Sequence, residues 1–169
     1  MSTIYLGLGT NLGDRIANLD QAIESLTERV EITGVSAVYE TDAWGLEEQP
    51  DFLNMCVAGE TNLSPNALLQ FVKQLESLLG RVPSERWGPR LIDIDILFYD
   101  QFIMQELELT IPHKGVADRA TVLVPLSDIA PELLHPIELK RISELLAAVD
   151  KSGIRRYQMA RPKAKFDDF

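Results

Sequence analysis

The sequence predicts an α+β fold, a mostly antiparallel sheet with helices packed on one face of it. Two apolar patterns predict it. Residues 16–30 and 68–79 carry apolar side chains at spacings of three and four, the mark of helices buried along one stripe. Residues 4–8, 32–39, 52–62 and 91–99 are short apolar or alternating runs, the mark of strands. In chain order these read strand, helix, strand, strand, helix, strand, which is the order of a ferredoxin-like α/β sandwich.

The first strand, Ile4-Tyr5-Leu6-Gly7-Leu8, ends at Gly9. The turn cluster Thr10-Asn11-Leu12-Gly13-Asp14 follows, with Asp14 set against the positive end of the next helix. Ile16, Leu19, Ile23, Leu26 and Val30 form that helix's apolar face. Residues 32–39 alternate as a strand, residues 42–51 form an acid-rich loop with Gly45 and Pro50, and residues 52–62 return as a strand. Ser64-Pro65 opens the second helix, because serine caps and proline suits the first helical position. Leu68, Val72, Leu75 and Leu79 are its buried stripe, and Gly80 stops it. The polar loop 81–90 leads into strand 91–99, which is expected to turn back as a hairpin through Asp100-Gln101 into Phe102-Ile103-Met104. Pro112-His113 opens a loop, Val122-Leu123-Val124 reads as a short strand, and residues 142–149 as a late helix. Residues 1–160 are expected to form one domain and residues 161–169 a tail.

A chain of 169 residues has room for one core and is short for two. Its net charge of −10 argues against a nucleic-acid partner, since phosphate backbones are held by an excess of Lys and Arg. A small polyanion would have to find a local positive cluster. Residues 81–90 and 151–165 are locally basic, and the second is expected to be a solvated end. No apolar run approaches the roughly 20 residues that cross a bilayer. The N-terminus lacks the pattern of a signal peptide, and the lone Cys56 cannot form an internal disulfide, so a cytoplasmic address is expected. A monomer or weak dimer is expected.

The strongest chemical signal is Leu91-Ile92-Asp93-Ile94-Asp95-Ile96-Leu97-Phe98. On a strand, Ile92, Ile94, Ile96 and Phe98 face one way, while Asp93 and Asp95 face the other, with Cβ atoms about 7 Å apart. Carboxylates held that close repel unless a cation or proton lies between them, and Mg²⁺ takes one or two carboxylates with water and substrate phosphates completing its shell. Two solvated acids on a half-exposed strand are the alternative. Arg81, Arg86 and Arg90 lie just upstream, and guanidinium groups fork onto phosphate oxygens. Trp87 either stacks on a planar ring or anchors the loop.

Gly7, Gly9 and Gly13 miss the spacing of a dinucleotide fingerprint, so a tight turn explains them better, and no P-loop motif occurs. Glu76, beside the second helix's apolar stripe, implies either a salt bridge or a ligand contact. Cys56 reads as a packed thiol. With two histidines and one cysteine, neither a Ser-His-Asp set nor a zinc cluster can be assembled.

Gly7-Leu8-Gly9-Thr10-Asn11-Leu12-Gly13-Asp14, Gln49-Pro50-Asp51-Phe52-Leu53-Asn54, Arg86-Trp87-Gly88-Pro89-Arg90-Leu91-Ile92-Asp93-Ile94-Asp95, Ile111-Pro112-His113 and Arg119 occur in one order. From residue 4 to about 134 the chain resembles the 6-hydroxymethyl-7,8-dihydropterin pyrophosphokinase family of folate biosynthesis. The resemblance implies a ferredoxin-like fold and transfer of pyrophosphate from ATP to the pterin's hydroxymethyl group, with AMP released. It implies two Mg²⁺ ions on Asp93 and Asp95, and catalytic roles for Arg81 and Arg90 beside them. Lys73, Glu76, Arg86, Trp87, Ile96, His113, Lys114 and Arg119 are the ATP-side residues it implies. Thr41, Asp42, Trp44, Phe52, Asn54, Trp87 and Thr121 are the pterin-side ones, with the ring stacked on Phe52 and its amide edge on Asn54. The loops at 42–50 and before Arg86 are expected to close over the substrates.

Some positions depart from the family's pattern. Phe52 stands where many members carry tyrosine, Asp42 where proline or glutamate is common, and Thr121 where an aromatic covers the pterin's other face. Lys114 takes a position often aromatic or proline. Two other classes fit the aspartate pair: a metal-dependent nucleotidyltransferase or phosphohydrolase, and a non-catalytic ligand-binding module. Products separate the first from a pyrophosphokinase, and absence of Mg²⁺-dependent ATP turnover would mark the second.

Overall fold

The structure, a computed structural model, describes residues 1–42, 50–80 and 91–157. β1 (Ser2–Thr10) buries Ile4, Leu6 and Leu8 on one face, and Gly7 and Gly9 fall on the other. Gly13, at φ +70°, turns the chain, and Asp14 accepts the Ala17 N–H at 3.1 Å as the N-cap of α1 (Arg15–Leu26). Leu19, Ala22, Ile23 and Leu26 are that helix's buried face.

Where one strand was expected over 32–39, the chain forms β2 (Glu31–Val35) and β3 (Tyr39–Thr41), both antiparallel to β4 (Phe52–Thr61). Ser36 makes the break. Its hydroxyl accepts the Cys56 N–H at 2.8 Å, in the place of a ladder carbonyl, while its own N–H donates to the Cys56 carbonyl at 2.9 Å. The register also slips between Ile32 and Gly34. Gly59 lies opposite Ile32, where a Cβ would come within 2.5 Å of Val30 Cγ1 and 2.8 Å of the Glu31 carbonyl oxygen.

Ser64 caps α2 (Pro65–Leu78) by accepting the Ala67 N–H, with Pro65 in its first turn, as the sequence predicts. Gly80, at φ +96°, follows its end. β5 (Asp93–Tyr99) then pairs antiparallel with β1. Beyond it come β6 (Met104–Gln105), β7 (Thr110–Ile111), α3 (Ala120–Ile129), α4 (Ile142–Ala147) and β8 (Ile154–Arg156). The main sheet of the described residues runs β5-β1-β4-β3-β8, with β2 also on β4. Its first half has the expected ferredoxin-like order.

Five expectations change. Helices cover both faces of the sheet rather than one. α1 and α2 close over Ile4, Leu6, Met55, Ile94 and Ile96, while α3 and α4 close over Cys56, Leu97 and Phe98. Phe98 is thus on the face opposite to Ile94 and Ile96, because the β1–β5 register slips so that Tyr5 meets Phe98 and Leu6 meets Ile96. Leu97 is the extra residue of this bulge, which reverses the alternation after it.

Residues 122–124 are helical, not a strand. Leu123, Leu126 and Ala130, spaced by three and four, face the sheet, and that packing overrides the strand preference of the valines. Nor does Asp100-Gln101 lead back along β5. Asp100 turns the chain at φ +48°, and β6 pairs with β7 instead. The outer edge of β5 is already engaged, its Ile94 N–H by Glu76 and its Leu97 carbonyl by the His113 N–H. Finally, residues 154–156, expected in a solvated tail, form β8 against the free edge of β3.

The close approach at Gly59 predicts that Gly59→Ala lowers stability by about 2 kcal/mol, the scale of overpacking a core. Urea unfolding with an unchanged slope measures it; a variant as stable as the parent would mean that the slip at Ile32 relaxes freely.

Candidate active site

β5 is an edge strand at Asp93–Ile96, and its exposed backbone groups need partners. Glu76, 7% exposed on α2, accepts the Ile94 N–H at 2.9 Å. This hydrogen bond to the backbone, beyond the two alternatives left open for Glu76, ties α2 to the strand between the two aspartates. The Glu76 carboxylate also lines the cleft beside them.

The His113 N–H donates to the Leu97 carbonyl at 3.0 Å, which sets the loop after β7 along the same edge. His113 Nδ1 accepts the Gly115 N–H at 3.0 Å, so a neutral ring carries its proton on Nε2, 3.9 Å from Asp95 Oδ2. Gly115 has a second consequence. A Cβ there would stand 2.8 Å from Arg119 Cδ, 3.0 Å from Nε and 3.1 Å from Cζ, so the missing side chain makes room for the Arg119 guanidinium stem.

These elements enclose a cleft of about 430 Å³. α2 supplies Lys73 and Glu76, β5 supplies Asp93, Asp95 and Ile96, and the loop supplies His113, Lys114 and Arg119. In a chain of net charge −10, Lys73, Lys114 and Arg119 bring cationic side chains to a cleft that also holds the carboxylates of Glu76, Asp93, Asp95 and Glu108.

A smaller recess, about 90 Å³, lies on the sheet face under α3. Phe52, Asn54, Leu97 and Thr121 line it, and Gly7 and Gly9 form part of its lining from β1. Asp93 and Asp95 line both cavities. The glycines correct the expectation of a tight turn: they sit mid-strand, and only Gly13 turns the chain. A Cβ on Gly9 would lie 3.0 Å from Asn54 Oδ1, so the bare strand leaves space for the Asn54 amide. Asn54 Nδ2 in turn donates to Thr41 Oγ1 at 3.5 Å.

The candidate residues therefore converge, with two exceptions among those described. Thr41 lines neither cavity and meets the recess through Asn54. The Asp42 carboxylate lines neither cavity and meets Arg155 at 3.3 Å instead. Arg81, Arg86, Trp87, Arg90 and Trp44 lie outside the described residues. Gly7, Gly9 and Gly115 are contributors that the sequence did not single out for the site, since what they provide is absent volume. Burial, together with the charges of Asp128 and Asp95, pushes the Cys56 thiol well above its ordinary range. It is a packed group, as expected, and not a nucleophile.

An antiparallel sheet that sets a carboxylate pair on the border of a cleft holding cationic side chains and of a smaller recess has the arrangement a two-substrate transferase handling a polyphosphate requires. The family described as 7,8-dihydro-6-hydroxymethylpterin-pyrophosphokinase matches residues 5–131, and the chain belongs to it. It is 45% identical over 160 residues to the 2-amino-4-hydroxy-6-hydroxymethyldihydropteridine pyrophosphokinase of Methylorubrum extorquens, covering 94% of this chain and 100% of that one. To the protein of the same description from Aquifex aeolicus it is 44% identical over 144 residues, covering 85% and 90%. The crystal structure of a Plasmodium falciparum HPPK-DHPS triple mutant superposes with a TM-score of 0.71 at 19% identity, covering 86% of this chain and 43% of that one, a likeness of fold. The chain is thus an ATP-dependent diphosphotransferase that passes pyrophosphate to 6-hydroxymethyl-7,8-dihydropterin in folate biosynthesis. Among the described residues, no helix is long and apolar enough to cross a membrane.

Gly115→Ala is expected to leave the melting temperature nearly unchanged, since a flexible arginine stem can swing aside. It should lower kcat/KM for ATP by about tenfold through the displaced Arg119. Steady-state kinetics beside a thermal melt test this, and unaltered kinetics would show that Arg119 makes no contact with ATP.

Proposed function

We propose that ATP occupies the larger cleft and the pterin the recess, with the transfer taking place across Asp93 and Asp95. One observation carries this reading: the two aspartates line both cavities, so a group held at them is in reach of either substrate. Lys73, Lys114 and Arg119 meet phosphate oxygens, and His113, its Nε2–H turned toward Asp95, adds a donor on the same side. Arg81, Arg86 and Arg90 join them on the strength of their motif, and Trp87 borders both substrates. The pterin stacks on Phe52, with its amide edge on Asn54, which Thr41 orients. Thr121 and Trp44 complete its surroundings.

The pterin's hydroxymethyl oxygen attacks the β-phosphorus of ATP. The bond from that phosphorus to the oxygen bridging the α-phosphate breaks, AMP leaves with the bridging oxygen, and the hydroxyl gives up its proton. Positioning and charge neutralisation supply most of the acceleration in such transfers.

The residues fit magnesium. Asp93 and Asp95 form a two-carboxylate donor set, and Asp95 is 56% exposed. No group of three or more His, Cys, Asp or Glu side chains among the described residues gathers to hold an ion, so water and substrate phosphate oxygens would have to supply the remaining ligands, as Mg²⁺ prefers. Two Mg²⁺ ions held there with the phosphates would neutralise charge and lower the pKa of the attacking hydroxyl. The chain works as a monomer or weak dimer in the cytoplasm.

Incubation with ATP, Mg²⁺ and the pterin should yield AMP and a pyrophosphorylated pterin. Asp93→Ala and Asp95→Ala should each reduce turnover by about three orders of magnitude with the circular dichroism unchanged, and Arg90→Ala by about two. Full turnover in either aspartate variant would defeat the assignment. Asn54→Ala should raise KM for the pterin about tenfold, the worth of a hydrogen bond of about 1.4 kcal/mol, and leave KM for ATP alone.

A further inference from the structure

Three carboxylates at the β3–β4 end of the sheet, beside Thr41 and Phe52, are gathered onto two arginines. Glu40 on β3 takes Arg15 Nη1 at 2.8 Å through Oε2 and Arg155 Nη2 at 3.3 Å through Oε1. Arg155 also meets Asp51 Oδ2 at 2.8 Å and Asp42 Oδ1 at 3.3 Å. Arg15 Nη1 donates to the Asp51 carbonyl at 2.9 Å, and its guanidinium lies 5.4 Å over the Tyr157 ring. One guanidinium from β8 thus joins Asp42, the residue after β3, to Asp51, the residue before β4.

Those two residues flank the strand ends beside Phe52, which lines the recess. Thr41, adjacent to Asp42, pairs with Phe52, adjacent to Asp51. On its other side Thr41 pairs with Ile154, the neighbour of Arg155. β8 therefore backs the strand whose Thr41 orients Asn54, and its side chain ties the two chain ends that flank Phe52. It lies outside residues 5–131, the part matched by the family.

We propose that Arg155 is a positioning residue for the pterin, holding the β3 and β4 ends of the recess at the spacing that seats the ring between Phe52 and Asn54. The electrostatics favour a real effect over a decorative surface pair. A lone exposed ion pair contributes little, but three carboxylates drawn onto one guanidinium repel one another once it is gone. Arg15 reaches Glu40 and the Asp51 backbone and leaves the Asp42 and Asp51 carboxylates to Arg155. Without Arg155 the relaxation available to Asp42 and Asp51 is to move apart, which carries Thr41 and Phe52 with them. ATP, in the cleft on the far side of β5, is not in contact with this network.

This inference rests on the pterin lying in the recess, so the experiment carries a control for that reading. Steady-state kinetics of Arg155→Gln should show KM for the pterin raised at least about fivefold, with kcat and KM for ATP within about twofold and the melting temperature held. Asp51→Asn should reproduce part of the rise, and the double variant should add little to Arg155→Gln alone, because both remove the same tie. Asn54→Ala is the control. If it raises the pterin KM and Arg155→Gln does not, the positioning role is wrong and the recess stands. If Asn54→Ala leaves the pterin KM alone, the recess is wrong and the inference falls with it. If Arg155→Gln shifts both KM values together with the melting temperature, β8 serves general stability and the proposal is overturned.

Discussion

A strand at the edge of a sheet exposes backbone donors and acceptors on one side, and in this chain the requirement to satisfy them at β5 organises the site. The Ile94 N–H takes the Glu76 carboxylate, which holds α2 beside the aspartates. The Leu97 carbonyl takes the His113 N–H, which holds the loop bearing His113, Lys114 and Arg119 on the same side. Two backbone groups three residues apart thereby fix the two walls of the cleft to the strand that carries Asp93 and Asp95. A carboxylate buried on α2 is costly unless paired, and its bond to the strand is one compensation for that cost.

The second cavity arises from what the sheet lacks. Gly7 and Gly9 leave β1 without side chains opposite Asp95 and Asp93, so α3 spans a gap rather than a packed surface there. α3 is kept at its distance by Leu123 and Leu126 against Leu97 and Phe98, and by Asp128, which accepts the Tyr39 hydroxyl at 2.8 Å and the Ala37 N–H at 3.2 Å. Burial and this contact with Asp128 push the Tyr39 hydroxyl up to about 12, so it remains a donor at any pH the enzyme meets. The aspartates can face two cavities because the β-bulge at Leu97 lies just beyond them: before it the strand alternates regularly, and after it Phe98 turns to fill the second core.

Much of the first half was legible in the linear pattern. Ser64 caps the helix it was expected to cap, Asp14 sits at the positive end of α1 as expected, and the alternation of residues 92–96 placed both aspartates on one face. These features depend on neighbours in sequence, where side-chain period and capping chemistry act directly. The errors lie where distant contacts decide. Val122-Leu123-Val124 has strand composition, yet the apolar surface of Leu97 and Phe98 rewards a helical stripe. Residues 102–104 could not return along an edge already taken by Glu76 and His113. Arg155 reads as one basic residue in a polar tail until β8 brings it to Asp42 and Asp51, more than a hundred residues away in the chain.

Taken alone, the sequence determined the antiparallel α+β order, the paired aspartates and the kinds of group set round them, since strand period, helix period and donor chemistry are properties of adjacent residues. Only the tertiary structure decided that one pair of carboxylates borders two cavities, that glycines mid-strand help make one of them, and that β8 pairs with β3 and brings Arg155 to Asp42 and Asp51. Each of those follows from which surfaces and unsatisfied backbone groups meet once the chain has folded, and pairing across a sheet is not written in spacing along it.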